Sequence, residues 1–197
     1  MKICLTGGIA CGKSLLSHYL NELGVETIDA DDIVHDLIPD PAERRRIAAE
    51  VFSDPEKRKA LEARIHPIVK ERIEEFLGNS STNFSTFPPF HSSTSLPLRL
   101  AIVPLLFEVH WNENFDIICA VVSERETQIS RMITTRGYTR EQAEARLAAQ
   151  MPVEEKAAKS NYVINNNGTA EELRIEAKKF VTWLKSLATL ASLSSHR

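Results

Sequence analysis

The chain has 197 residues, 43% hydrophobic and 26% charged, with 24 Lys and Arg against 27 acids and a formal net charge of −3. A pI near 6.1 speaks against the basic stripe of a nucleic-acid binder, and no apolar run approaches the ~18 residues of a membrane-spanning helix. Gly7, Gly8 and Gly12 interrupt any secretion-type apolar stretch, while Cys4, Cys11 and Cys119 form neither a disulfide framework nor a CxxC pair, so a cytoplasmic single-domain protein is expected, with no nucleic acid and no membrane among its partners.

Lys2 to Thr6 reads as a short buried strand that stops at a glycine pair. From Lys13, the residues Leu15, Leu16, Tyr19, Leu20 and Leu23 fall at helical spacing, and Gly24 closes that helix. Val25 to Ile28 is a second strand ending at Asp29, and Asp31 to Leu37 a short helix stopped near Pro39 and Pro41. A helix over Ala42 to Phe52 follows. Ser53, with Glu56 three residues on, reads as a capping box opening a helix to about Ile65, and His66-Pro67 begins another to Leu77. Residues 78–98 contain no charged residue and read as an irregular loop. Leu100 to Val103 and Ile117 to Val122 are the third and fourth strands, and Arg125 to Thr135 is a helix. Thr139 with Gln142 caps the next helix, Tyr162 to Ile164 is a fifth strand, and Thr169 with Glu172 caps the last helix. Short apolar strands separated by helices predict an α/β fold, a five-stranded parallel sheet covered on both faces in three layers.

Charge is unevenly spread. Residues 1–40 carry two lysines against seven acids, whereas 124–150 carry Arg125, Arg131, Arg136, Arg140 and Arg146 with no lysine. Between the first strand and first helix, Gly7 to Ser14 matches G-x-x-x-x-G-K-[ST] in the context that gives the motif meaning. Glycines let such a loop wrap a phosphate with backbone N–H groups, and the helix N-terminus adds its positive dipole end. Gly8, Ile9, Ala10, Cys11, Gly12, Lys13, Ser14 and Leu15 are therefore candidates for binding a nucleoside triphosphate, Lys13 reaching the β- and γ-phosphates and the Ser14 hydroxyl coordinating Mg²⁺. Cys11 could be an activated thiol at a helix start, but such a loop needs only its backbone. Asp29 and Asp31 end the second strand, where a parallel sheet places its ligand crevice. Two carboxylates two positions apart in an extended segment point the same way, and one can accept a proton. Helix capping by either is the competing reading.

Taken together, Leu5 to Ile9 with Gly12-Lys13-Ser14, Ile28 to Asp31, Ile65-His66-Pro67 and Pro104 to Glu108 resemble dephospho-CoA kinase, a family similar to adenylate kinase in fold. The resemblance continues through Gln128, Arg131, Arg136, Arg146, Gln150-Met151-Pro152, Lys156 and the turn from Asn165 to Gly168. It implies a phosphate-loop kinase fold with a core (about 1–30, 99–123 and 153–197), a helical substrate lobe (31–98) and a small helical lid (124–152). The implied activity is ATP-dependent phosphorylation of the ribose 3′-hydroxyl of dephospho-CoA, the last step of CoA synthesis, by a monomer or small homo-oligomer.

The resemblance makes Asp31 the base and puts His66, Pro104, Leu105 and Leu106 around the acceptor. Arg131 and Arg136 then join Lys13 in catalysis and Arg146 contacts phosphate, since planar guanidiniums bridge the oxygens over which transferred charge spreads. Arg125 and Arg140 are expected to be surface residues. The turn from Asn165 to Gly168 is implied to hold adenine through backbone groups, so that its side chains matter little. Three departures stand out: a shortened connection over 37–44, the added loop over 78–98, and Ser160-Asn161 where relatives usually carry Ala-Asp. The first two leave open a kinase for another small alcohol or nucleotide. A nucleotide-binding regulator without catalysis is a third reading, opposed by Asp31 and the lid arginines.

Overall fold

A computed structural model describes residues 1–78 and 97–194. The loop expected over 78–98 thus lies almost wholly outside the described residues, apart from its ends. Chain order runs β1 (Ile3–Gly7), α1 (Lys13–Glu22), β2 (Val25–Asp29), α2 (Ala30–Leu37), α3 (Pro41–Ser53), α4 (Pro55–Gly78) and β3 (Leu98–Ile102). It continues with β4 (Ile117–Val122), α5 (Arg125–Arg136), α6 (Arg140–Ala148), α7 (Val153–Ala158), β5 (Tyr162–Asn165) and α8 (Ala170–Ser194). The five strands form one parallel sheet in the order β2-β3-β1-β4-β5. β1 sits in the middle and is buried at every position, which is why it reads as a continuous apolar run. Leu16 and Leu20 of α1 and Leu173, Ala177, Phe180 and Leu184 of α8 share one core with the strands, and α7 packs on β4 and β1. Because the central strand leads straight into the glycine loop, the best-buried element of the fold aims that loop.

The chain divides into two compact units, residues 1–27 with 90–197, and residues 28–89. In the second unit α2 and α3 both pack on α4, with Ile33, Val69 and Ile73 buried. Arg44 stitches the short connection between α2 and α3: its guanidinium donates to the carbonyls of Ile38 (2.6 Å) and Pro39 (3.0 Å) at the C-terminus of α2.

Three expectations are corrected. His66-Pro67 does not begin a helix, because α4 runs unbroken for 24 residues with Pro67 inside it. The proline removes one backbone donor, a defect of about 3 kcal/mol in an isolated helix, but Val69 and Ile73 just beyond it are buried and packing overrides the break. The cap of α4 is Asp54 and not Ser53: α3 extends through Ser53, and the Asp54 carboxylate accepts from the Glu56 and Lys57 N–H groups (3.0 and 3.1 Å). Asp29 and Asp31 do not share an extended segment, since Ala30 already opens α2. The six-residue helix α7 was too short to show a periodicity in the sequence.

Candidate active site

The loop between β1 and α1 curls tightly. Gly12 has φ +89°, and a Cβ there would collide with the Asn166 side-chain nitrogen. Ala10 also takes a positive φ of 58°, unusual for a residue with a side chain. What holds this shape is a set of side-chain donors, one for every carbonyl from Gly7 to Cys11. Lys13 Nζ donates to the Gly7 and Gly8 carbonyls (2.9 and 2.8 Å). Gln128 Nε2 takes that of Ile9 (2.7 Å), Arg131 that of Ala10 (3.3 Å) and Asn166 Nδ2 that of Cys11 (2.9 Å). With its acceptors engaged in this way, the loop is biased toward presenting donors, the polarity an anion site requires. Ser14 and Leu15 lie exposed on the first turn of α1.

Cys11 is buried, and its Sγ accepts from Gln128 Nε2 at 3.2 Å. Burial pushes its thiol up from the ordinary value, outweighing the nearby Lys13 ammonium. It is the opposite of an activated thiol.

The segment over 124–152 meets the loop directly. Ile129 and Met132 of α5 and Ala143 of α6 form a small core against which Ile9, Ala10, Tyr138 and Leu147 pack. Arg131 also donates to Ser123 Oγ (3.1 Å), and among the described residues it has no carboxylate partner. Its remaining guanidinium nitrogens stay available beside the loop. Arg136 ends α5, exposed and without an ion pair among the described residues. The Arg146 guanidinium lies over the Tyr138 ring, 4.4 Å from its centre. By contrast Arg140 pairs with Glu126 and Glu144, and Arg125 lies 3.9 Å from Glu144, both on the surface. A cavity of about 300 Å³ opens beside Gly8, lined by Arg125, Gln128, Leu147, Gln150 and Val153 among others.

On the turn after β5, side chains matter, contrary to expectation. Asn165 and Gly168 are exposed, but Asn166 is buried and braces the loop. Asn167 Oδ1 accepts the Glu124 N–H (2.7 Å) where α5 begins, and Asn165 Oδ1 accepts the Asn167 N–H (3.1 Å). The asparagines were legible as a polar run, but nothing in the run says that Asn166 points inward. Asn161, standing where a carboxylate was expected, still serves as an acceptor: its Oδ1 takes the Ile118 N–H at 2.8 Å, and its own N–H bonds back to the Ile118 carbonyl.

Pro104, Leu105 and Leu106 form the turn after β3, with Leu105 exposed and Leu106 buried. The Pro104 carbonyl accepts from Thr6 Oγ1 (3.2 Å), one residue before the loop. In the second unit, Asp29 is the N-cap of α2, its carboxylate accepting the Asp31 N–H at 2.9 Å. That assigns the capping role to Asp29. Asp31 is exposed on the first turn, and among the described residues its carboxylate makes no hydrogen bond or ion pair. His66 lies half-buried in α4.

Comparison with known proteins agrees with this architecture. The family model for dephospho-CoA kinase matches residues 1–43 and 41–172, in two stretches that overlap in the first turn of α3. A dephospho-CoA kinase of Geobacter sulfurreducens is 37% identical, spanning 90% of this chain and 98% of the relative. That of Symbiobacterium thermophilum is 34% identical over 89% of this chain and 78% of its own. A solved structure from Thermus thermophilus superposes with a TM-score of 0.73 at 31% identity, covering 93% of this chain and 97% of the other. A shikimate kinase of Acinetobacter baumannii, at 16% identity and a TM-score of 0.59, shares the fold. On a match that runs through most of its length, the chain belongs to the dephospho-CoA kinase family.

Proposed function

We propose that the chain carries out its family's reaction as follows: the γ-phosphoryl group of ATP passes to the ribose 3′-hydroxyl of dephospho-CoA, giving CoA and ADP in the last step of CoA synthesis. Residues 124–152 act as the lid, 31–98 as the acceptor lobe, and the remainder as the core. Gly8 to Leu15 cradle the phosphates, with adenine held by the Asn165–Gly168 turn. Asp31 accepts the hydroxyl proton as the oxygen attacks phosphorus, and Lys13 binds the γ-phosphate. Arg131 and Arg136 bridge the equatorial oxygens, Arg146 adds a phosphate contact, and the closed lid keeps water from competing as acceptor. His66 and Pro104 to Leu106 orient the acceptor.

The observation that carries this reading is Arg131, a guanidinium fixed on the phosphate loop by Ala10 and Ser123 without a carboxylate to neutralise it. Transfer of a phosphoryl group is catalysed mainly by placing positive charge around the moving group. Asp31 also supports the reading, since Asp29 relieves it of capping. The Ser14 hydroxyl suits Mg²⁺, a hard cation that takes few protein oxygens when nucleotide phosphates and water complete its shell. Bound there, Mg²⁺ supplies neutralising charge to the β- and γ-phosphates. The reading carries with it a cytoplasmic enzyme, monomeric or a small homo-oligomer.

The shortened connection over 37–44 favours one second reading, an altered acceptor. ATP turnover over a panel of dephospho-CoA, nucleosides, nucleoside monophosphates and shikimate separates the two. Selective stimulation by dephospho-CoA is expected, and stimulation by another panel member in its place overturns the assignment. Asp31→Asn should then lower kcat by about 10²-fold or more with ATP affinity kept. An equal loss of ATP binding would mean that Asp31 serves the metal or the fold instead.

A further inference from the structure

Lys156 of α7 and Glu108 of the turn after β3 have no part in the reaction as described, yet they form the most heavily buried charge pair among the described residues. The Lys156 side chain is 0% exposed. Its Nζ donates to the Pro104 carbonyl and lies in an ion pair with Glu108 Oε1, both at 2.8 Å. The same Glu108 oxygen accepts the Met151 N–H at 3.0 Å, and the same Pro104 carbonyl accepts Thr6 Oγ1. Met151 follows Gln150, whose Oε1 accepts the Ile9 N–H of the phosphate loop at 3.1 Å. One ammonium therefore ties the strand end before the loop, the Pro104 turn and the last residues of the lid segment into a single chain of hydrogen bonds and one ion pair.

Packing alone gives no reason for this arrangement. A buried ion pair is often no more stable than apolar side chains of similar volume, and Glu108 Oε2 is buried with no hydrogen-bond partner, a further penalty. What the pair supplies, and apolar side chains do not, is fixed geometry between three segments. We infer that Lys156 and Glu108 are positioning residues that hold the Pro104–Leu106 turn in register with the phosphate loop and the end of the lid, so that the acceptor hydroxyl meets the γ-phosphate. The inference rests on the acceptor reading of that turn proposed above.

The test uses the full-length enzyme and the variants Lys156→Met, Glu108→Gln and the double variant. Lys156→Met strands a carboxylate and should melt well below wild type, whereas the double variant removes both charges and should recover most of that loss. Positioning is not recovered with it. The double variant should show KM for dephospho-CoA raised at least ~10-fold, or kcat lowered by up to ~100-fold, as misplacement on the order of 1 Å does. Its KM for ATP should stay near wild type, and Glu108→Gln, which keeps an acceptor for Met151, should show a smaller version of the same split. Acceptor kinetics that recover together with the melting temperature overturn the inference, as does a parallel rise in KM for ATP. In the wild type, Met151 amide exchange should be slow and slow further when dephospho-CoA binds; exchange indifferent to dephospho-CoA also overturns it. Wild-type enzyme that fails to use dephospho-CoA overturns the functional reading itself, a result distinct from active wild type with unaffected variants.

Discussion

Asn166 offers the sharpest test of how the phosphate loop is held. Its Nδ2 donates to the Cys11 carbonyl at 2.9 Å in a buried setting, 5% exposed. Asn166→Ala leaves that carbonyl without its side-chain donor and beyond easy reach of water, a loss of about 2 kcal/mol within the 1–3 kcal/mol range for a stranded buried polar group. In a protein of this size each kcal/mol lowers the melting temperature by about 2–4 °C, so a drop of about 4–8 °C is expected. The Ala10 and Gly12 conformations on either side of Cys11 lie at positive φ, and they lose their brace. If ATP must then supply about 1.4 kcal/mol to order the loop, its KM rises about tenfold. Asn166→Asp should be worse than Asn166→Ala, because it turns an oxygen toward the carbonyl where the amide had turned a donor. Scanning calorimetry and initial rates at varied ATP measure both effects. An Asn166→Ala variant with unchanged melting and KM, or an aspartate variant better tolerated than alanine, would refute the reasoning.

Arg131→Lys should lower kcat by roughly 10²-fold or more in steady-state assays, since an ammonium cannot hold Ala10 and Ser123 and still bridge phosphate oxygens. Arg140→Ala removes only exposed ion pairs and should leave kcat unchanged. The Glu172 carboxyl is held below its ordinary value of 4.5 by the Thr169 N–H and hydroxyl, and Glu126 is held low by Arg140. A lowered folded pKa stabilises above the ordinary value, and that contribution fades as pH falls through the folded pKa. Glu172→Gln should therefore flatten the decline in melting temperature expected from about pH 4.5 downward. Burial pushes the thiols of Cys4, Cys11 and Cys119 up. A thiol reagent at neutral pH should label none of the three at an appreciable rate until the protein unfolds.

Sequence and structure agree at several elements that local rules set. The buried run of β1, the glycine loop and the Thr139–Gln142 capping box all follow from residues next to one another in the chain. Pro67 misleads because a proline normally ends a helix, whereas α4 is held together by the helices packed on it. Ser53 misleads because Asp54, one position later, satisfies the same donors. At the site, residues that act through their own backbone were legible from the motif. The bracing roles of Gln128 and Asn166 on the loop carbonyls were not, because both come from distant parts of the chain and nothing in their neighbours marks them as inward-facing. The same distance hides Lys156, which sits in a short, ordinary-looking helix and reveals its burial only in three dimensions.

The donors that hold the loop carbonyls come from three places, α1, α5 and the turn after β5. The loop's shape is therefore not a local property of eight residues. Order in α5 and affinity for nucleotide become two readings of one equilibrium, and by reciprocity each must strengthen the other to the same degree. Nucleotide should thus protect α5 from proteolysis although none of its peptide bonds need touch the ligand. A substitution far along α5 that loosens the helix should weaken nucleotide binding by the same free energy as the protection it removes.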